Sequence, residues 1–364
     1  MALDLFTPVV PEERFHQSFR RVLSRPTPYD KAILAQWADG FIDRDGKFVR
    51  EFQTSFDSSF WELYLHAAFK ELGMACDFQW ARPDFCIRLP KPFSVEASVA
   101  LNAQGTLAVT ETNPLEMPAD FKEFNRQAII RLSNTVHSKY KRYVESYSQL
   151  NHVCGKPFVL AITAFDRPHF YLQAQRAVEA LLYRYYVDED TYLKEHPDRD
   201  VPLLAEDLPF VLKDSGEPLP LGIFCDESMA GISAIVQSTA ATWSKVRALG
   251  GDPDVMITAI YENRAEGGEY LFKGPKTRYS ESILDGLRIY HNPHAEHPLD
   301  PSLFRRSEIF QATSKGPVSV IGLNENKRNL VNRSAMTFRP GFMKKVLEGM
   351  DPDTKFWWHM PPSP

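Results

Sequence analysis

The stretch RPDFCIRLPKPFSVEASVA, residues 82–100, decides the fold because it alternates apolar and polar side chains on either side of a Pro90-Lys91-Pro92 turn. Successive side chains of a β-strand point to opposite faces. Phe85, Ile87 and Leu89 therefore share one face of the first strand, and Asp84, Cys86 and Arg88 the other. In the second strand Phe93, Val95, Ala97 and Val99 lie opposite Ser94, Glu96 and Ser98. Each strand has an apolar side for a core and a side that presents one carboxylate. Paired as a hairpin, Asp84 and Glu96 come close enough to share a hard divalent cation, which takes carboxylate oxygens and fills its other positions with water. Two quieter roles stay open. Asp84 can close a turn on local backbone amides, and Glu96 can pair with Arg88 across the hairpin.

The flanks extend this unit in both directions. Upstream, FQTSFDSSFWELYLHAAFKELGM (residues 52–74) predicts a helix from about Ser58, with Asp57 and Ser58 as caps and Gly73 as a left-handed stop. Glu62 interrupts its apolar stripe beside Leu65, His66 and Phe69, a costly position unless the charge is paired, hydrogen-bonded or metal-bound. The alternative is a solvent-facing charge. CDFQW (76–80) predicts a short strand, residues 119–149 a long helix, and KPFVLAITAF (156–165) a buried strand. The element order is α-β-β-β-α-β. Between Phe124 and Val144 the long helix carries Arg126, Arg131, Lys139, Lys141 and Arg142 and no acid. That is either a face for a phosphate backbone or an ordinary solvated surface.

Further out the chain is less informative. Residues 1–54 read as a helical arm broken by prolines, 55–165 as the core, and 166–364 as a C-terminal elaboration. Within the last, residues 187–220 hold ten acids, three Lys or Arg and five prolines, which predicts an exposed loop or lid-like insertion. Most of 221–323 is expected to extend the same sheet rather than form a separate unit. HNPHAEHPLD (291–300) gathers His291, His294, Glu296 and His297, donors suited to zinc or manganese, on a turn-rich loop. Trp357 and Trp358 are expected to fold back onto the core, and Arg333, Arg339, Lys344 and Lys345 to flank a groove or stay solvated.

Bulk properties narrow the class. With 43% hydrophobic residues the 364-residue chain can bury a large core, and no run of about 18 apolar residues spans a bilayer. No membrane partner is expected, and a cytoplasmic location follows from the lack of a signal-peptide pattern. Four scattered cysteines suggest neither disulfides nor a zinc-cysteine site. A net charge of −5 excludes a constitutive polyanion binder, so any nucleic-acid contact must come from a local basic face. Neither a phosphate-binding glycine loop nor a GxSxG elbow is present.

Element order and residues together resemble the PD-(D/E)XK, or restriction-endonuclease-like, nuclease superfamily over about residues 55–165. The matching positions are Glu62 on the first helix, Pro83-Asp84 on the second strand and Glu96-Ala97-Ser98 on the third. The resemblance implies an α/β fold with a mixed central sheet and an αβββαβ core. It also implies Mg²⁺ or Mn²⁺ held by Asp84, Glu96 and Glu62, and hydrolysis of nucleic-acid phosphodiesters, with DNA favoured over RNA and a homodimer compatible with it. The chain departs from the pattern at Ser98, where the family carries lysine. Some members supply that amine from the following helix, and Lys139 answers to this, on one stripe with Arg131 and Thr135. Arg126, Arg131, Lys141 and Arg142 would then track the phosphates. Two other readings stand beside this one: a catalytically inactive nuclease-fold module for nucleic-acid binding or assembly, and a small-substrate metallohydrolase built on His291 to His297.

Overall fold

The computed structural model describes residues 3–24, 28–100, 118, 120–165, 170, 175–198, 201, 203–263, 268–323, 328–351 and 353–360. Three helices lead in: α1 (Gln17–Ser24), α2 (Pro28–Ala38) and α3 (Phe48–Thr54). They are no detached arm. Phe19, Leu34, Trp37 and Phe52 sink into one core with α4 (Phe56–Glu71). Eleven of the sixteen residues of α4 are buried, so the helix is apolar on nearly every side and is enclosed accordingly. Its N-cap is Ser55 rather than Asp57 or Ser58, and no side chain bonds the cap. Gly73 stops it as expected, at φ +71°.

Next come β1 (Ala75–Asp77), β2 (Phe85–Leu89), β3 (Phe93–Val99), α5 (Phe121–Glu145) and β4 (Phe158–Thr163). β1, β2 and β3 pair antiparallel in that order, and β3 then pairs parallel with β4. α5 is the helix of that crossover, as a parallel connection requires. All six residues of β4 are buried, the pattern of a central strand covered on both faces. The observed order α4-β1-β2-β3-α5-β4 is the one the sequence predicted.

The region 187–220 differs from the expected loop. After α6 (Arg176–Tyr183) and β5 (Tyr185–Tyr186), it contains α7 (Glu189–Glu195), β6 (Glu206–Asp207), β7 (Phe210–Leu212) and β8 (Pro218–Pro220). β5 pairs with β6, and β7 with β8. Two of its acids reach α5: Asp188 takes Lys122 at 2.6 Å and Asp214 takes Arg126 at 2.6 Å, which ties the insertion to that helix.

The remaining elements are β9 (Ala234–Gln237), α8 (Trp243–Leu249), β10 (Val255–Asn263), β11 (Glu269–Pro275), β12 (Arg288–His291), β13 (Phe310–Thr313), β14 (Ile321–Gly322), β15 (Arg328–Thr337), α9 (Phe342–Glu348) and β16 (Trp357–Met360). Only some of them extend the first sheet, whose order is β1-β2-β3-β4-β9-β12-β13-β14. Four of the six described strands between 221 and 323 (β9, β12, β13 and β14) extend it as expected, whereas β10 and β11 build a second, antiparallel sheet ordered β15-β10-β11-β16. Lys245, Glu281 and Arg333 form a fully enclosed charge cluster beside it, with contacts to Glu281 of 2.7 and 2.8 Å. Arg333 is therefore interior and not part of a basic surface. Of the two tail tryptophans, Trp357 reaches the Phe272 ring at 5.0 Å but both stay partly exposed, so the expected cover over the core is incomplete. One core lies between α4 and the large sheet, a second lies under α5 and α6, and a third lines the small sheet. No helix among the described residues is long and apolar enough to cross a membrane.

Candidate active site

The hairpin register pairs Phe85 with Val95, Cys86 with Ser94 and Ile87 with Phe93. Extended one step, it sets Asp84 opposite Glu96, on the face that looks toward α5. The apolar set Phe85, Ile87, Phe93 and Val95 lies on the other face, in the α4 core. Asp84 does not cap its own turn: its Oδ2 accepts the Ala97 amide at 2.7 Å, a bond across the hairpin. Glu96 is buried, 3% exposed, and one of its oxygens gathers three neighbours. Lys139 Nζ donates to Oε1 at 2.8 Å, Tyr147 Oη donates at 3.4 Å, and Arg142 Nη1 stands 3.5 Å away. The Arg142 guanidinium also lies 5.1 Å over the Tyr147 ring. Arg88 takes no part. It is exposed and sits opposite Pro92, four residues from Glu96, or about 13 Å along the strand.

Glu62 enters from α4. Its neighbour Trp61 donates Nε1 to the Ala161 carbonyl at 3.0 Å, which pins this turn of the helix against β4. Glu62 is recessed but not sealed from solvent. Burial, then the negative charge of Asp84, pushes its pKa up to about 8, and Arg44 opposes the shift. Asp84 is pushed up to about 6 by burial and then by Glu96, against the Ala97 amide, Lys139 and Arg44. Burial and the Glu96 charge also raise the Tyr147 phenol, which keeps it a proton donor. Three carboxylates from three elements thus feel one another across a partly desolvated space. The side chain of Lys139, 22% exposed, supplies the nearest positive charge to Glu96.

The other expected residues divide. Ser98 lies on the same face as Glu96 and leaves the amine's place to Lys139, which reaches in from α5. Arg142 joins the site. Lys141 is solvent-exposed and pairs loosely with Glu145 at 3.8 Å. Arg131 is half-buried, with guanidinium nitrogens shielded from solvent. Arg126 is committed elsewhere, bonded to Glu123 at 2.6 Å and to Asp214 at 2.6 Å. The uniform basic face read from the sequence is therefore a mixture. The histidine cluster does not converge: His291 is buried in β12 against Gln311 at 3.0 Å, while His294 is exposed and His297 stands 3.8 Å from Glu296.

Two contributors escaped the sequence reading. Arg44 lies in Asp43-Arg44-Asp45-Gly46-Lys47, which reads only as a polar turn, and its partners are carbonyls of a distant loop, Trp80 and Pro83. Tyr147 follows the end of α5, and nothing local marks it.

The donor chemistry fits a divalent cation of the Mg²⁺ or Mn²⁺ kind. Glu62 and Asp84 are both raised by burial and by a neighbouring carboxylate, and hard cations take carboxylate oxygens. Asp84 and Glu96 would form the pair, and Glu62 feels Asp84 more strongly than Glu96. Among the described residues no group of three or more His, Cys, Asp or Glu side chains could hold a metal ion directly. Glu62 would therefore act through water. Comparisons with protein-family models, with curated proteins and with solved structures return no match for this chain.

Proposed function

We propose that the protein is a metal-dependent nuclease with a restriction-endonuclease-like core spanning α4 to β4, hydrolysing phosphodiester bonds of nucleic acid. The observation that carries this reading is that Asp84 stands opposite Glu96 in the hairpin register, that Lys139 bonds Glu96, and that Glu62 on α4 feels the charge of both carboxylates. Asp84 and Glu96 would hold Mg²⁺ or Mn²⁺, and Glu62 would reach it through a water. A cation bound there lowers the pKa of a bound water and neutralises charge on the scissile phosphate. Lys139 orients Glu96 and offers a proton-bearing, positively charged group where negative charge develops. Arg44 holds down the proton affinity of both Glu62 and Asp84. Arg142, half exposed at 53%, is free to lean from Glu96 toward a phosphate.

A second reading has its own support. Lys139, Arg142 and Tyr147 already satisfy one Glu96 oxygen, so the site can persist as a structural charge cluster in a module that binds nucleic acid without cutting it. Cleavage of supercoiled plasmid, single-stranded DNA and RNA with Mg²⁺ or Mn²⁺ separates the two. The nuclease reading expects cutting that Asp84→Asn and Glu96→Gln both abolish. Wild type and variants equally inert on all three substrates would leave only the binding module.

A further inference from the structure

The loop between β1 and β2 delivers Asp84 to the site, and it carries an aromatic side chain whose placement the carboxylate chemistry does not explain. Trp80 is 40% exposed, whereas Trp37 and Trp61 nearby are 4% and 0% exposed. Its ring lies flat on the His152 imidazole, centroids 4.2 Å apart and planes 6° from parallel. The stack is held from both sides. His152 Nε2 meets the Arg82 carbonyl at 2.8 Å, and Arg44 bonds the carbonyls of Trp80 and Pro83. Lys156 in turn donates to the His152 carbonyl at 2.9 Å. An indole left partly in water on so fixed a frame is pre-organised to receive a flat partner.

We infer that the Trp80–His152 stack is a platform for an unpaired nucleobase, and that the substrate is single-stranded or locally unpaired nucleic acid. The inference rests on the nuclease reading of the carboxylate site. Trp80 lies four residues from Asp84, so the two Cα atoms are at most about 14 Å apart, within reach of one short run of nucleotides. Arg82 is exposed beside the stack and Arg44 is half-buried beneath it, where a backbone phosphate would pass. Cations alone bind phosphates of either strand state. In a duplex each base face is already covered by its neighbours. An aromatic platform is therefore useful only to a base that has left the stack, and it accepts any base because every base has a π-face.

The test uses the full-length protein without divalent metal, so that binding is read without cutting. Affinities are measured for a labelled single-stranded oligodeoxynucleotide, its RNA counterpart and the annealed duplex. The inference expects single strands to bind tighter than duplex, and Trp80→Ala to weaken single strands about ten-fold while leaving duplex unchanged. Trp80→Phe keeps a ring, so it should retain most of the affinity and the fold. The indole emission present in wild type and missing in Trp80→Phe should be quenched by single strands and not by duplex. Equal quenching of wild type and Trp80→Phe, or equal loss on both strand states in Trp80→Ala, overturns the platform and leaves a clip that anchors the Asp84 loop. The two readings fail separately. Trp80-dependent binding with no cleavage of any substrate sinks the nuclease. Cleavage that needs Asp84 and Glu96 but ignores Trp80 and strand state sinks the platform.

Discussion

Glu62 holds its proton far above the range of an exposed glutamate, and that makes it a stability liability as well as a candidate ligand. Between its ordinary pKa of 4.5 and the shifted value of about 8, the folded protein keeps the proton that the unfolded chain has lost. Stability therefore falls as pH rises through that window and levels off above it. Glu62→Gln should stabilise the metal-free protein at pH 8 to 9, by a few kcal/mol at most, and by much less near pH 4.5. Thermal unfolding at the two pH values checks it; a gain that does not grow with pH would contradict the assignment. Lys139→Ala should cost about 1–3 kcal/mol, because it leaves Glu96 buried with one fewer cation. It should cut cleavage by about two orders of magnitude while leaving metal affinity nearly intact. The sequence singles out Glu62 because it interrupts an apolar helix stripe, and Asp84 and Glu96 because alternation puts them on one face of the hairpin; Lys139 is reached only through the family resemblance. Arg44 was not legible, because its role depends on a loop nearly forty positions away.

The hairpin is legible as an element because a one-residue slip would turn Glu96 and every apolar neighbour to the wrong face. The fate of the α5 cations was hidden for a physical reason: their partners are remote. Arg126 finds Asp214 in the acidic insertion, 88 positions along the chain. That pair makes the insertion a brace for α5 and removes Arg126 from any phosphate surface. Arg126→Ala should therefore lower stability by about 0.5–1.5 kcal/mol, modestly because Asp214 is 87% exposed. Nucleic-acid affinity should not change. A ten-fold loss of affinity in a fully folded Arg126→Ala protein would restore the basic face that the helix sequence suggested.

The whole molecule presents a net charge of −5, so any binding must come from a handful of cations near the site. With Arg44, Arg82, Lys141 and Arg142 as the available set, single-stranded affinity should fall with salt at a log–log slope of about −2 to −3. A steeper slope, near −6, would require a basic surface that these residues do not form. Assignment of strands to sheets was the least legible feature. β10 and β11 read like their counterparts in the large sheet, yet β10 also pairs with β15, whose partners lie 65 to 82 positions on, and is drawn into a second sheet. The element order of the core survived because neighbours in sequence there are neighbours in space, apart from the β3-to-β4 crossover.

Direct titration of Mn²⁺ into the protein at pH 8 and pH 5.5 tests the central claim, that Asp84 and Glu96 hold a divalent cation. One saturable site is expected at pH 8, lost in Asp84→Asn and Glu96→Gln. It should weaken at pH 5.5, where protons compete for an Asp84 carboxyl whose pKa is about 6. No saturable binding at pH 8, or binding untouched by both substitutions, would contradict the claim and leave the cluster a buried ion-pair network.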